Sequence, residues 1–222
     1  MQLFPRDKRG DAAEMLDALG ASDGTGAHAY VRSGKLSDGP EAMRNLADAV
    51  HFLGVLHGRH PGIVDHAARK SVDPEARLWL DQAADAFAAE RSLLGRITAA
   101  VGPVPSTIGQ AGCEAAVAGQ RKALDMLAES DRRGCALGAA IALTLEWRTI
   151  RVLLDISAGR IDIETPRCTL PDLVATARLA QRIGDTPAVE RAISFGAQQL
   201  VAQHRGLWDL LAARETARRT NR

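Results

Sequence analysis

Apolar residues recur along this chain at spacings of three and four, the repeat that lays one face of an α-helix against a core. Met43, Leu46, Val50, Leu53 and His57 form one such stripe, on a helix expected over Glu41 to His57 and broken by Gly58, Pro61 and Gly62. Upstream, Asp11 to Leu19 reads as a short helix ended by Gly20, and Ala21 to Pro40, rich in glycine, serine and aspartate, reads as a loop. Ile63 to Lys70 adds a further turn or two. Asp73-Pro74-Glu75 then combines a capping side chain, a proline at the first helical position and an acid in the first turn, which opens a long helix to about Val101.

Gly102-Pro103-Val104-Pro105 stops that helix, and Thr107 with Gln110 has the spacing of a capping box for one reaching about Glu129. After a tight connection at Asp131-Arg132-Arg133-Gly134, Cys135 to Ser157 is the most apolar segment, expected to be the central helix and to end at Gly159. Ile161-Asp162-Ile163 alternates too briefly for a sheet and reads as a linker. Thr169-Leu170-Pro171-Asp172 opens a shorter helix to Ile183, closed by Gly184, and Thr186-Pro187 opens the last, which continues through Leu211.

Three of these helices have roughly 25 to 30 residues, about 40 Å at 1.5 Å per residue, and such matched lengths suit antiparallel neighbours in a bundle. Aromatic residues make up only 4% of the chain, so Ala and Leu must fill the core, and both favour helix over strand. The expectation is therefore all-α: an antiparallel helical bundle with short flanking helices. With 46% hydrophobic and 25% charged residues there is material for one core, and no linker divides the 222 residues into two. A single domain over 1–222 follows, with a loop-rich N-terminal arm at 1–40 and a basic tail at 213–222.

Charge and composition narrow the function classes. Lys plus Arg number 28 against 27 for Asp plus Glu, and a net charge of +1 gives no global electrostatic basis for binding nucleic acid or an anionic membrane. The tail arginines Arg214, Arg218, Arg219 and Arg222, with Glu215 nearby, read as a solvated end. The opening Met1 to Lys8 has no apolar leader core, and the stretch Cys135 to Leu145 is too short to span a bilayer, so a cytoplasmic protein is expected. Cys113, Cys135 and Cys168 lack CxxC spacing and suggest isolated thiols, neither a disulfide framework nor a zinc site. No Walker loop, GxGxxG turn or GxSxG elbow is present, which ranks nucleotide-dependent and hydrolase chemistry low.

The informative positions are polar residues on apolar stripes, because burying one without a partner costs several kcal/mol. Glu90 shares a stripe with Ala83, Ala86, Phe87, Leu93, Leu94 and Ile97, and Glu146 shares one with Ala139, Ala142, Leu143, Ile150 and Leu153. His204 has Leu200, Val201, Leu207, Trp208 and Leu211 as helical neighbours, and His57 continues the stripe of Val50 and Leu53. Two carboxylates and one or two imidazoles from different helices suggest a centre holding iron or manganese through Glu90, Glu146 and His204, with His57 as a further ligand.

In helix number and length, from about Glu41 to Leu211, the chain resembles ferritin-like bundles. That family places a glutamate three residues before a histidine; here Leu93 follows Glu90 and Thr149 follows Glu146, so the ligand pattern does not carry over. The reading that demands least has both acids paired with arginines from facing helices and the histidines donating to carbonyls or carboxylates, with no cofactor. A ligandless remnant of a ferritin-like site, filled with polar side chains, falls between the two.

A second cluster gathers His51, His57, His60 and His66 within sixteen residues. His57, Arg59 and His60 lie at a helix end, where cations are favoured by the dipole, and suggest an anion site or, with Asp65 and His66, a divalent metal site. The competing reading is a capped helix end with exposed histidines. Gly95, Gly119, Gly138 and Gly196 permit close helix approach within one chain or between two, leaving a homodimer open. Two functions follow from these residues: a non-catalytic scaffold or small-ligand and protein-binding bundle with structural interior polar groups, or a metal-binding bundle or metal-dependent oxidoreductase.

Overall fold

A computed structural model describes residues 11–183 and 186–220; Met1 to Lys8, Gly184 and Arg222, which entered the sequence reading, lie outside them. The described residues form nine α-helices and one short 3-10 turn, with no strand. They are α1 (Asp11–Asp23), the turn Thr25–Ala27, α2 (Ala29–Arg32), α3 (Ala42–His57), α4 (Ile63–Lys70), α5 (Pro74–Ala100), α6 (Gln110–Glu129), α7 (Cys135–Arg160), α8 (Leu173–Arg182) and α9 (Pro187–Thr220). The fold is all-α, as the Ala and Leu content requires. Among the described residues no helix is long and apolar enough to cross a membrane.

The most apolar segment is the central one: α7 touches every other α-helix except α2, and its most extensive contact is with α9. Two glycines explain that closeness. A Cβ at Gly138 would lie 2.1 Å from the Ile193 carbonyl oxygen, and one at Gly196 would lie 2.0 Å from the Cys135 carbonyl oxygen. Each helix thus presses its backbone into a gap that only hydrogen leaves on the other. The small residues seen in the sequence serve an approach within the chain at these two positions, whereas Gly95 and Gly119 have nothing within 4 Å.

Local chemistry places most boundaries where the sequence suggests. The Asp73 carboxylate accepts from the Glu75 and Ala76 amides at 3.0 and 2.8 Å, with Pro74 beginning α5. The Asp172 side chain caps α8 through the Ala175 amide. Four expectations need correction. α1 continues through Gly20 to Asp23, and the predicted loop after it contains the 3-10 turn and α2. α7 passes Gly159 to reach Arg160. Gly109, with φ of 80°, rather than Thr107 precedes α6; Thr107 Oγ1 instead accepts from Arg218 Nη1 at 3.1 Å, and the Gln110 side chain binds Glu114 and Arg214.

The basic tail is the fourth correction. α9 stays helical to Thr220, and Arg214 and Arg218 are buried. Their partner is Asp48 of α3, which receives Arg214 Nη2 on Oδ1 at 2.8 Å and Arg218 Nη1 on Oδ2 at 2.5 Å, while Asn45 Oδ1 accepts from Arg218 Nη2 at 2.6 Å. Among the described tail arginines, Arg219 keeps an exposed side chain, paired loosely with Glu215.

We expect Gly138→Ala and Gly196→Ala each to destabilise the protein by about 2–3 kcal/mol or more, because backbone must move to admit the methyl group. Gly119→Ala, on an open helical face, should be neutral or stabilising by up to about 1 kcal/mol. Urea denaturation of the three variants checks the contrast; equal effects would contradict it.

Candidate functional site

Glu146 projects from α7 into the interior and must find hydrogen-bond donors there. The Thr25 amide lies 3.0 and 2.9 Å from its two oxygens, and the Thr25 hydroxyl donates to Oε2 at 2.6 Å. Trp208 Nε1 in turn donates to that hydroxyl at 3.0 Å. A Cβ at Gly24 would sit 2.7 Å from Glu146 Oε1, and Gly24 has an ordinary φ of −65°. A Cβ there would lie closer still, at 2.5 Å, to the Gly20 carbonyl oxygen, so the glycine is needed for space between that backbone and the carboxylate, not for an unusual backbone conformation.

From Glu146 the polar chain continues through two imidazoles. His204 Nδ1 lies 3.2 Å from Glu146 Oε2 and donates to it, since a carboxylate only accepts. His204 Nε2 and His57 Nε2 are 2.8 Å apart, so one proton lies between these nitrogens. Burial, then the neighbouring His204 and Arg121, hold the His57 pKa well below its ordinary value and keep His57 neutral. Its ring meets Trp147 edge to face at 5.4 Å, and Trp147 meets Phe87 at 5.3 Å. For Glu146, burial favours the neutral acid, but the His204 and Thr25 hydrogen bonds and the His204 charge outweigh it and lower the pKa.

Glu90 belongs to a different set of partners. Its Oε1 accepts from Arg151 Nη1 at 2.6 Å and its Oε2 from Trp147 Nε1 at 3.0 Å. Arg151 also donates through Nε to Asp155 at 2.9 Å and through Nη2 to the carbonyl of Pro166. This fastens the extended 161–172 segment across α7, with Arg148 doing the same at the Pro171 carbonyl. Beside this pair, burial pushes the Cys168 thiol above its ordinary pKa, which favours the unreactive thiol form.

The structure thus brings together Glu146, His204 and His57 but assigns Glu90 to Arg151 and Trp147. Glu90 has the arginine partner that the simplest sequence reading anticipates, whereas Glu146 is met by a threonine and a histidine. The proposed anion group does not assemble: His57 turns inward to His204, while Arg59 and His60 are exposed. His57 points inward because it continues the apolar stripe of α3, whereas the two that follow lie beyond the helix end. His60 Nδ1 instead lies 3.3 Å from Asp65 Oδ2, which also receives Arg91 at 3.1 Å and the Gly62 amide at 2.7 Å. His51 reaches the Gly102 carbonyl at 2.7 Å.

Sequence reasoning missed Thr25 and the Asp48–Arg214–Arg218 network. Thr25 sits between glycines in an apparent loop and carried no signal, whereas for the network a clue existed, because Asn45 and Asp48 interrupt apolar stretches of α3 at a spacing of three.

Residues 20–219 match a protein family described as being of unknown function, DUF6975. The chain belongs to that family. No curated protein and no solved structure matches it. The family match spans α2 to α9 together with all of the partners of Glu146 and Glu90 named above.

Stability should fall as the solution is acidified. Unfolded, His57 takes up a proton below about pH 6.5, whereas folded it stays neutral well below that, so acid favours unfolding. Glu146 acts lower: its contribution is complete above the unfolded carboxyl pKa and is lost as the pH falls toward its depressed folded value. Urea melts from pH 7 to 5 should show the decline, and His57→Gln should flatten it by up to about 1.4 kcal/mol per pH unit, the value of one proton. Identical slopes in both proteins would contradict the assignment.

Proposed function

We propose that the chain is a non-catalytic helical binding scaffold in which the interior acids and histidines are structural. The observation that carries this reading is that the interior acids singled out above are met by the protein's own donors. Both oxygens of Glu146 are occupied by Thr25 and His204, and both oxygens of Glu90 by Arg151 and Trp147. His204 has a partner on each nitrogen. An iron or manganese centre would require Glu90, Glu146 and His204 to direct unoccupied donor atoms to one point, and among the described residues no group of three or more His, Cys, Asp or Glu is so arranged. The ferritin-like outline accordingly contributes architecture to this reading and no ligand set. The open clefts lie on the surface, one where the α4–α5 junction, the α6–α7 turn and the start of α9 meet and one between α9 and the segment around α2, and surface clefts are where a scaffold meets its ligands.

Metal analysis of protein purified without chelator, followed by anaerobic addition of ferrous iron and optical spectroscopy, tests this reading. We expect no stoichiometric metal before or after addition. One metal per chain, lost in Glu146→Ala, would overturn it. As a structural counterpart, Glu90→Ala should cost about 3–5 kcal/mol by leaving the buried Arg151 with the half-exposed Asp155 as its one remaining carboxylate, and adding Arg151→Met should restore part of that loss. An unchanged melting temperature in Glu90→Ala would remove the structural role.

A further inference from the structure

Helix α6 packs on α3, α4, α7 and α9 through a face that buries Val117, Leu124, Leu127 and Ala128. Its opposite face is open. There Ala111, Gly112, Ala115, Ala118, Gly119 and Lys122 are exposed, so a single charge stands where a solvated helix face ordinarily carries several. Large apolar side chains stand exposed toward both ends: Ile108, 72% exposed, just before the helix, and Met126, 63% exposed, near its close.

Glycine inside a helix is less favourable than alanine, because it surrenders more backbone freedom on folding. Gly112 and Gly119 lie two turns apart on this face, and a Cβ at either would have nothing within 4 Å. Unlike Gly138 and Gly196, they admit no neighbour among the described residues. A second helix laid closely along the face would use the space they leave.

The charges bordering the face complement themselves. Glu114 and Lys122 are two turns apart; Glu114 Oε1 accepts from the uncharged Gln110 side chain at 2.6 Å, and among the described residues neither is held in an ion pair, whereas the adjacent Arg121 and Asp125 pair with each other at 2.8 Å. When two identical helices meet about a two-fold axis they run antiparallel, and residues equidistant from the centre come together. The midpoint of Glu114 and Lys122 is Ala118, and the midpoints of Ala111 with Met126 and of Ala115 with Gly119 fall within one residue of it. One axis therefore sets Glu114 beside Lys122 of the other copy twice over, lays each Met126 on the small Ala111 and Gly112, and brings the backbones together at Ala115 and Gly119. Parallel pairing would set Glu114 against Glu114.

We propose that the chain forms an antiparallel homodimer through the outer face of α6. A single helix pair belongs to the class of contacts burying less than about 1,200 Å² in total, so the association is weak and reversible. It uses none of the interior acids or histidines, and stands or falls separately from the metal-free reading of the interior.

Sedimentation equilibrium of the full chain, from low micromolar to near-millimolar concentration, reads the association directly, and a monomer–dimer equilibrium is expected. Gly119→Leu blocks the close approach and should weaken dimerisation at least tenfold. Glu114→Lys and Lys122→Glu each set like charges against each other at two places and should weaken it about fivefold at low salt. The combined exchange, Glu114→Lys/Lys122→Glu, should recover most of that loss, a result that altered folding of the monomer cannot produce. Thermal melting of each variant establishes that it is folded. A chain that stays monomeric throughout the range, as it would if this face met a different protein, would overturn the proposal. So would dimerisation undiminished by Gly119→Leu, or a charge exchange no better than the single reversals.

Discussion

A carboxylate withdrawn from water loses several kcal/mol of hydration, and Glu146 can stay ionised within α7 only if hydrogen bonds replace that loss. The replacements come from three separate parts of the chain: the amide and hydroxyl of Thr25 before α2, the imidazole of His204 in α9, and behind it His57 of α3. Each donor is positioned by something else. Trp208 holds the Thr25 hydroxyl, Gly24 leaves room for the carboxylate, and Trp147 braces His57. One charge on the central helix thereby dictates where the N-terminal arm docks and which face α9 presents.

The same logic recurs elsewhere in the molecule. Glu90 and Arg151 join α5 to α7 and secure the strand-free segment after α7, and Asp48 with Arg214 and Arg218 joins α3 to the end of α9. Apolar packing can slide by a turn with modest loss, but a buried ion pair cannot, so these contacts define register between helices whose surfaces are largely alanine and leucine. Between α7 and α9, away from the Glu146–His204 contact, Gly138 and Gly196 define register by shape.

The fold class was legible because helix formation here is local: periodic apolar residues, Pro and Asp at helix starts and glycines at several ends are all encoded within a few positions. Glycine as a stop signal failed at Gly20 and Gly159, where the helices run on to Asp23 and Arg160, because a glycine within a helix costs only about 1 kcal/mol. Glu90, Glu146, His57 and His204 could be singled out as interior residues from their stripes alone. Their partners could not, because pairing depends on which helix faces which, and a stripe does not carry that information. Thr25 shows the limit most clearly, since nothing in its neighbourhood distinguishes it from a surface loop threonine. The arginines of α9 show the complementary failure: charge near a chain end suggests solvent, and the pairing with Asp48 and Asn45 of α3 reverses that.

Interior acids met by the chain's own donors are suited to holding helices in place while surface clefts meet other molecules. The most direct measurement is a double-mutant cycle by urea denaturation with Thr25→Val, Glu146→Gln and the pair. If Thr25 is what lets the Glu146 charge stay buried, the two substitutions are coupled by about 1.5–3 kcal/mol, the range for hydrogen bonds to a charged group. Strictly additive losses would contradict the account.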